Sequence, residues 1–198
     1  MPAAPGGYRY HQTGSATVGS NTKQIPPDGT MKIDPVGADG NQSWHRFIDP
    51  SGPPSDTTFA FRNGGVFLVQ TVQRTNAGGQ QSSFTCTFNP PMASPPWPPT
   101  EHAAYRGHAD CGQFTVDVSG QVSGRQDVTL DRTVRHTYVL SSNLTFHGQL
   151  EGTGTQTDWL DPGTSLILHE ETSENGKYGG VIAFTAQSKS DLVSGKPQ

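Results

Sequence analysis

The chain has 198 residues, enough for one domain with a sizeable core. Its charged fraction is 15%, its net charge is −4 at pH 7 and its pI is near 5.9. The 13 Lys and Arg are scattered singly, which excludes the basic stripe that nucleic-acid binding requires, and no apolar run reaches the ~18 residues of a membrane-spanning helix.

Gly (24) and Pro (16) are abundant, and they punctuate segments of alternating polarity, so they read as turns between strands. Met1–Gly7 lacks the basic start and apolar core of a signal peptide and reads as a disordered tail, left after removal of an export signal. Tyr8–Val18 alternates and is followed by the turn signal Pro26-Pro27-Asp28-Gly29. Thr30–Val36 and Gln42–Ile48 flank Ala38-Asp39-Gly40-Asn41, whose Asp-Gly suits a hairpin. Asp49-Pro50-Ser51-Gly52-Pro53-Pro54 breaks the pattern. Thr57–Arg62 and Val66–Arg74 then flank Asn63-Gly64-Gly65, a second hairpin signal. Val66–Val72 is apolar at both parities, as a central strand would be.

Ala77-Gly78-Gly79 turns into Gln80–Phe88, where Phe84, Cys86 and Phe88 share a face. Asn89–Asp110 is proline-dense and reads as one long loop, of the kind that is functional or mobile in compact domains. Cys111–Val118 resumes the alternation, and Gly120 and Gly124 interrupt it before Val128–Leu130.

The stretch Thr133–Leu150 places Val134, His136, Tyr138, Leu140, Leu144, Phe146 and Leu150 on one parity. A hairpin at Ser141-Ser142-Asn143 and one long strand turning over Gly148–Gly152 both fit that pattern. The long strand is favoured, because two such close turns would leave Leu144–His147 a stub. Thr153–Leu160 returns, Asp161-Pro162-Gly163 stops it, and Ser165–Thr172 leaves in the opposite direction. Asn175-Gly176 or Lys177 turns into Tyr178–Gln187, and Ser190–Gln198 reads as a flexible tail.

The expected fold is all-β: a highly twisted antiparallel meander of about ten strands with little or no helix, curled into an open half-barrel or a barrel. It forms a single domain over Tyr8–Lys189, and the loop Asn89–Asp110 is the candidate cover for an open sheet.

Cys86 and Cys111 are the only cysteines. With His102 and His108 they could ligate zinc. Their spacing matches no short metal knuckle, and an exported, turn-rich chain favours a disulfide closing the loop. His136 beside Tyr138 could be a general base, against the plainer reading of a histidine hydrogen-bonded within the sheet. In His169-Glu170-Glu171 alternation sends His169 and Glu171 to one face and Glu170 to the other, with a solvated face as the default. Asp158 and Asp161 flank Trp159-Leu160 at a strand end, where Asp is ordinary turn chemistry. Trp97, among prolines, is either an exposed anchor or a pin that tucks under its loop. No catalytic motif, metal site or cofactor signature is present.

From Phe114 to Phe184 the strand VRHTYVLSSNLTF, the turn GQLEGTG and the segment TDWLDPGTSLILHEE resemble exported bacterial all-β proteins of the lipoprotein-carrier and lipid-binding half-barrel type. That resemblance implies a secreted or cell-envelope protein and carries over no site residues. The functional expectation is a non-enzymatic domain that binds an apolar, lipid-like molecule or a protein partner on a curved sheet. Tyr138, Leu140, Phe146 and Trp159 are its candidate lining. The alternatives are a structural or adhesive surface module without a ligand, and a hydrolase using His136 or His169 with a carboxylate.

Overall fold

The computed structural model describes residues 1–50, 52–77, 80–93 and 97–198. Among these it has no helix and thirteen strands: β1 (Gly6–Val18), β2 (Asn21–Gln24), β3 (Asp28–Ile33), β4 (Asn41–Phe47), β5 (Ser55–Arg62), β6 (Gly65–Ala77), β7 (Gln80–Ala93), β8 (Ala104–Asp110), β9 (Phe114–Leu130), β10 (Thr133–Gly148), β11 (Leu150–Asp161), β12 (Leu166–Tyr178) and β13 (Ile182–Leu192). The strands from β3 to β13 pair in sequence order, all antiparallel. The ring closes through β1, which pairs with β3 along Gly6–His11 and with β13 along Tyr10–Val18. β2 bonds only to β1, so twelve of the thirteen strands form a closed barrel and one is extra. Closure removes the exposed sheet edges that an open meander leaves.

The turns follow their residues. Asn63 and Gly64 both have positive φ (51° and 72°), the geometry of a tight two-residue hairpin between Arg62 and Gly65. The Asp161 carboxylate accepts the Gly163 N–H at 2.8 Å and the Thr164 hydroxyl at 2.9 Å, which ends β11. The turn expected at Asn175-Gly176 lies further on. β12 continues through both residues, and Gly179 and Gly180, with φ of 58° and 71°, make the reversal. The turn at Gly78-Gly79 lies outside the described residues, as do Ser51 and Ser94-Pro95-Pro96.

β10 is one strand of 16 residues, as the alternation favoured. Its single buried parity does not hold throughout. A bulge leaves Ser123 unpaired on β9 between Val122, opposite Leu140, and Gly124, opposite Val139. Below it the buried parity switches: Thr137 is fully buried, whereas Val134 and His136 are exposed. Gly124 has φ +155°, a backbone that side chains disfavour, so the glycine read as an interruption is what lets β9 run on unbroken.

Cys86 and Cys111 form the disulfide. It ties β7 to the end of β8 where those strands share only the pairs Thr87–Asp110 and Phe88–Ala109. The zinc alternative falls with it, because bonded sulfurs offer no thiolate. The stretch read as one loop from Asn89 to Asp110 is largely strand: β7 reaches Ala93 and β8 starts at Ala104. With the barrel closed by β1 and β13, no cover is required. Trp97 packs against Val122, Leu140 and Leu160, pinning its segment to the wall.

Among the described residues the buried apolar side chains form three bodies, the smallest being the Val122, Leu140 and Leu160 group beside Trp97. One fills the lower end, where Tyr8, Met31, Ile33, Leu130, Leu166 and Leu168 meet from β1, β3, β9 and β12. Full burial of each such side chain stabilises by roughly 1.5–3 kcal/mol. The terminal segments read as tails close this end. Ala3 is buried and exchanges two hydrogen bonds with the Gln42 side chain, and the Gln198 N–H bonds the Gly7 carbonyl. The second apolar body lines one side of the upper half: Phe88, Met92, Tyr105, Phe114, Val116 and Phe146.

Candidate functional site

Alternation on β4 turns Gln42, Trp44 and Arg46 inward, and on β12 it turns Leu166, Leu168 and Glu170 inward. Arg46 Nη1 donates to Glu170 at 2.6 Å and its Nη2 donates to the Ser190 hydroxyl at 2.7 Å. β4 shares no ladder with β12 or β13, so these bonds cross the lumen. The Arg46 guanidinium also lies 5.5 Å from the Tyr10 ring centroid. Burial works against the Arg46 cation, yet Glu170, Tyr10 and Asp158 outweigh it and raise its pKa. Burial raises the Tyr10 phenol well above its ordinary value.

Asp158 stands opposite Glu170 on the same inner face. Burial, then the Glu170 charge, pushes its pKa up to about 7, against the opposing pull of Gln156 and Arg46. The Gln156 amide donates to both Asp158 oxygens at 3.0 Å. Glu174, two inward positions above Glu170, is also raised by burial. Its side chain lies over Gly154: a Cβ there would stand 3.1 Å from Glu174 Cγ and 3.3 Å from Leu144 Cδ1.

These groups are deep in the barrel, yet they are not sealed in packed protein. Arg46 retains 26% side-chain exposure and Glu170 15%. Side chains pointing into a closed ring of strands can be so exposed only if they border internal space. The inner residues of β13 show where that space leads. Ser190 is buried, Ser188, Ala186 and Phe184 are half-buried, and Ile182 at the upper rim is exposed. On β1 Gly14 faces Ser188 and Ala16 faces Ala186, while on β12 the Phe184 ring lies over Gly176. The side chains on the β1 and β13 part of this face are mostly small. Opposite it stand Phe84, Phe114 and Phe146, edge to face with centroids 5.4 and 6.5 Å apart. Along the inner face the order is therefore an apolar base, then the charged groups, then the aromatic residues on one side and the increasingly exposed residues of β13 on the other.

Of the four residues expected to line a site, Leu140 and Phe146 are buried and inward. Tyr138 packs on Val122, Leu140 and Leu160 beside Trp97, with the Arg125 guanidinium 4.8 Å from its ring centroid. Trp159 stands on the opposite face from Asp158, against His169 at 4.5 Å between centroids, so it does not line the lumen. His136 pairs with Asp127 at 2.7 Å, and His169 with Asp191 at 2.6 Å and Glu171 at 3.3 Å. His169 and Glu171 do share a face, and Glu170 takes the other. On the outer face His45 lies between Asp34 and Asp56, and Asp117 lies between His108 and His147. Among the described residues no group of His, Cys, Asp and Glu is arranged to hold a metal ion.

The sequence reading missed Arg46, Glu170, Asp158 and Glu174 as a set. Arg46 was findable, since it shares its parity with Trp44 and Gln42. Asp158 stands near a strand end, where the sequence favours turn chemistry, a role that Asp161 alone fills.

No family model and no curated protein matches the chain. Among solved structures it is similar to the hypothetical lipoprotein YmcC from Escherichia coli, at 12% identity and a TM-score of 0.43, over 95% of this chain and 86% of that one.

Proposed function

We propose that the protein is an exported, non-enzymatic β-barrel that holds an apolar, lipid-like ligand in its lumen, entering through the upper mouth. The observation that carries this reading is the 26% exposure of Arg46 inside a ring of paired strands, since a barrel filled by its own side chains would leave it none. The aromatic wall of Phe84, Phe114 and Phe146 supplies apolar surface facing the small side chains of β1 and β13. The disulfide supports an oxidising compartment. No histidine–carboxylate pair described above faces the lumen, so the internal space favours binding over a hydrolase built on His136 or His169.

Native mass spectrometry of protein purified without detergent tests the reading. The expected result is a co-purified apolar molecule that a fluorescent lipid probe displaces. Protein free of ligand that binds no probe would return the chain to a purely structural role.

A further inference from the structure

On the outer wall both ring nitrogens of His45 meet carboxylates. Nδ1 stands 2.7 Å from Asp56, directly opposite on β5, and Nε2 stands 3.0 Å from Asp34, just past the end of β3. A carboxylate oxygen only accepts, so both nitrogens must carry hydrogen and the ring is the imidazolium. A neutral ring has one N–H and would turn a lone pair on one of the two acids. Each acid keeps its charge through a fixed cation on its other oxygen: Lys32 on Asp34 at 2.8 Å and Arg74 on Asp56 at 2.6 Å. Lys32 lies opposite His45 on β3, and Asp34 draws its like charge away. Charges therefore alternate from Lys32 through Asp34, His45 and Asp56 to Arg74, across β3, β4, β5 and β6. His45 and Asp56 keep 28% and 21% side-chain exposure, so solvent screens them less than a fully exposed pair. The Asp34 hydrogen bond outweighs partial desolvation and, with Asp56, raises the His45 pKa. His169 is also flanked on both sides, but its Nε2 is 3.3 Å from Glu171, which Lys189 already holds at 2.6 Å.

We propose that His45 is a pH-sensitive clamp, which as the imidazolium ties Asp34 to Asp56 across β4 and on losing its proton releases one of them. The place suits a clamp, because β3 and β4 share only the four pairs from Thr30–Phe47 to Ile33–Trp44. A side-chain tie reinforces a ladder that short more than it would a long one. The folded state holds the His45 proton more tightly than the unfolded chain does. The stability this contributes is fully present below about pH 6.5 and is lost as pH rises through the folded pKa. Acid therefore tightens this part of the wall and alkali loosens it. The device goes beyond the binding role and holds whether or not the lumen takes a ligand.

Nitrogen-15 NMR of the imidazole rings, followed from about pH 5 to about pH 9, tests the clamp on the unmodified protein. His45 should carry hydrogen on both ring nitrogens at neutral pH and titrate above the ~6.5 of an unfolded histidine. Asp34→Asn and Asp56→Asn should each lower that midpoint. Amide hydrogen exchange, corrected for its intrinsic pH dependence, reads the wall itself. Protection of the β3 and β4 amides should fall about tenfold as pH rises through the midpoint, the change that one pKa unit of linkage gives. His45→Gln, which cannot titrate, should remove that fall. A His45 ring with a single N–H at neutral pH, or a midpoint at or below the unfolded value, would overturn the proposal. So would protection that is flat with pH, or that falls equally in His45→Gln.

Discussion

Arg46 and Glu170 are joined at 2.6 Å across the barrel, from strands that share no ladder. The pair links two walls of the barrel at the floor of the lumen. Removing one partner leaves the other unpaired in a poorly solvated site, at about 3–5 kcal/mol for a fully buried pair and less here because internal space reaches both. Glu170→Gln and Arg46→Met should therefore each lower the urea midpoint. The double variant should recover part of the loss, because no lone charge remains. A double variant as unstable as the sum of the singles would show that the two residues act independently.

Asp158 links stability to pH. Its pKa is about 7 in the folded protein against an ordinary value of 3.8, so the folded state binds its proton more tightly than the unfolded chain does. The stability this contributes is fully present below about pH 4 and is lost as pH rises through about 7. Glu174, raised by burial, acts in the same direction. Asp158→Asn should flatten the decline between those limits. Denaturation curves across that range in which wild type and variant run parallel would remove Asp158 from the account.

The fold class, the long strand β10 and the disulfide were all legible in the sequence, because each rests on a local rule: period-two alternation, turn chemistry or cysteine count. Closure was not, since the pairing of Tyr10 with Leu192 joins residues near opposite ends of the chain and leaves no local trace. Nor was the parity switch at Thr137. It depends on one unpaired residue, Ser123, on the neighbouring strand, and a single strand read alone continues its alternation through that point. The charged floor was hidden for a third reason. Glu170 sits in a run of three polar residues that reads as a solvated face, and only Arg46, more than a hundred positions away, makes its inward placement tolerable.

Gly120 has a role that packing dictates. The Tyr105 ring lies across it, so that a Cβ there would stand 2.4 Å from Tyr105 Cζ, and the Tyr105 hydroxyl is 2.7 Å from that of Ser142 on β10. Gly120→Ala must displace the ring and break that hydrogen bond. Overpacking of this kind costs about 1–3 kcal/mol. Tyr105→Phe should cost less, and Gly120→Ala in the Tyr105→Leu background should be nearly neutral, because the obstructing ring is gone. A Gly120→Ala protein with an unchanged urea midpoint would contradict the contact.

The disulfide closes a loop with a sequence separation of 25, which the chain-entropy estimate puts at about 3–4 kcal/mol. Thiol titration of the denatured, unreduced protein should find no free sulfhydryl. Reduction should lower the melting temperature without abolishing the barrel, since β7 is also held to β6 along most of its length. Loss of strand signal in circular dichroism on reduction alone would show that the bond is required for closure.

The last expectation separates a cup from a solid core. Phe146 is buried beside Phe114 in the upper apolar body, and on the proposed reading its other side borders the ligand space. Leu130, at the sealed lower end, is surrounded by Tyr8, Leu166 and their neighbours. Truncating a side chain packed on every side costs the lost transfer energy and the cavity left behind, about 2–5 kcal/mol for Leu→Ala and 3–5 kcal/mol for Phe→Ala. A residue bordering existing space leaves less new cavity, because the opening merges with room already there. Leu130→Ala should therefore show its full cost, whereas Phe146→Ala should fall below its range despite removing more atoms. The same change should weaken binding of a fluorescent lipid probe, because it strips one ring from the wall. If Phe146→Ala costs the full amount and probe binding is absent in both proteins, the upper body is filled core, and Arg46 borders only a void too small for a ligand.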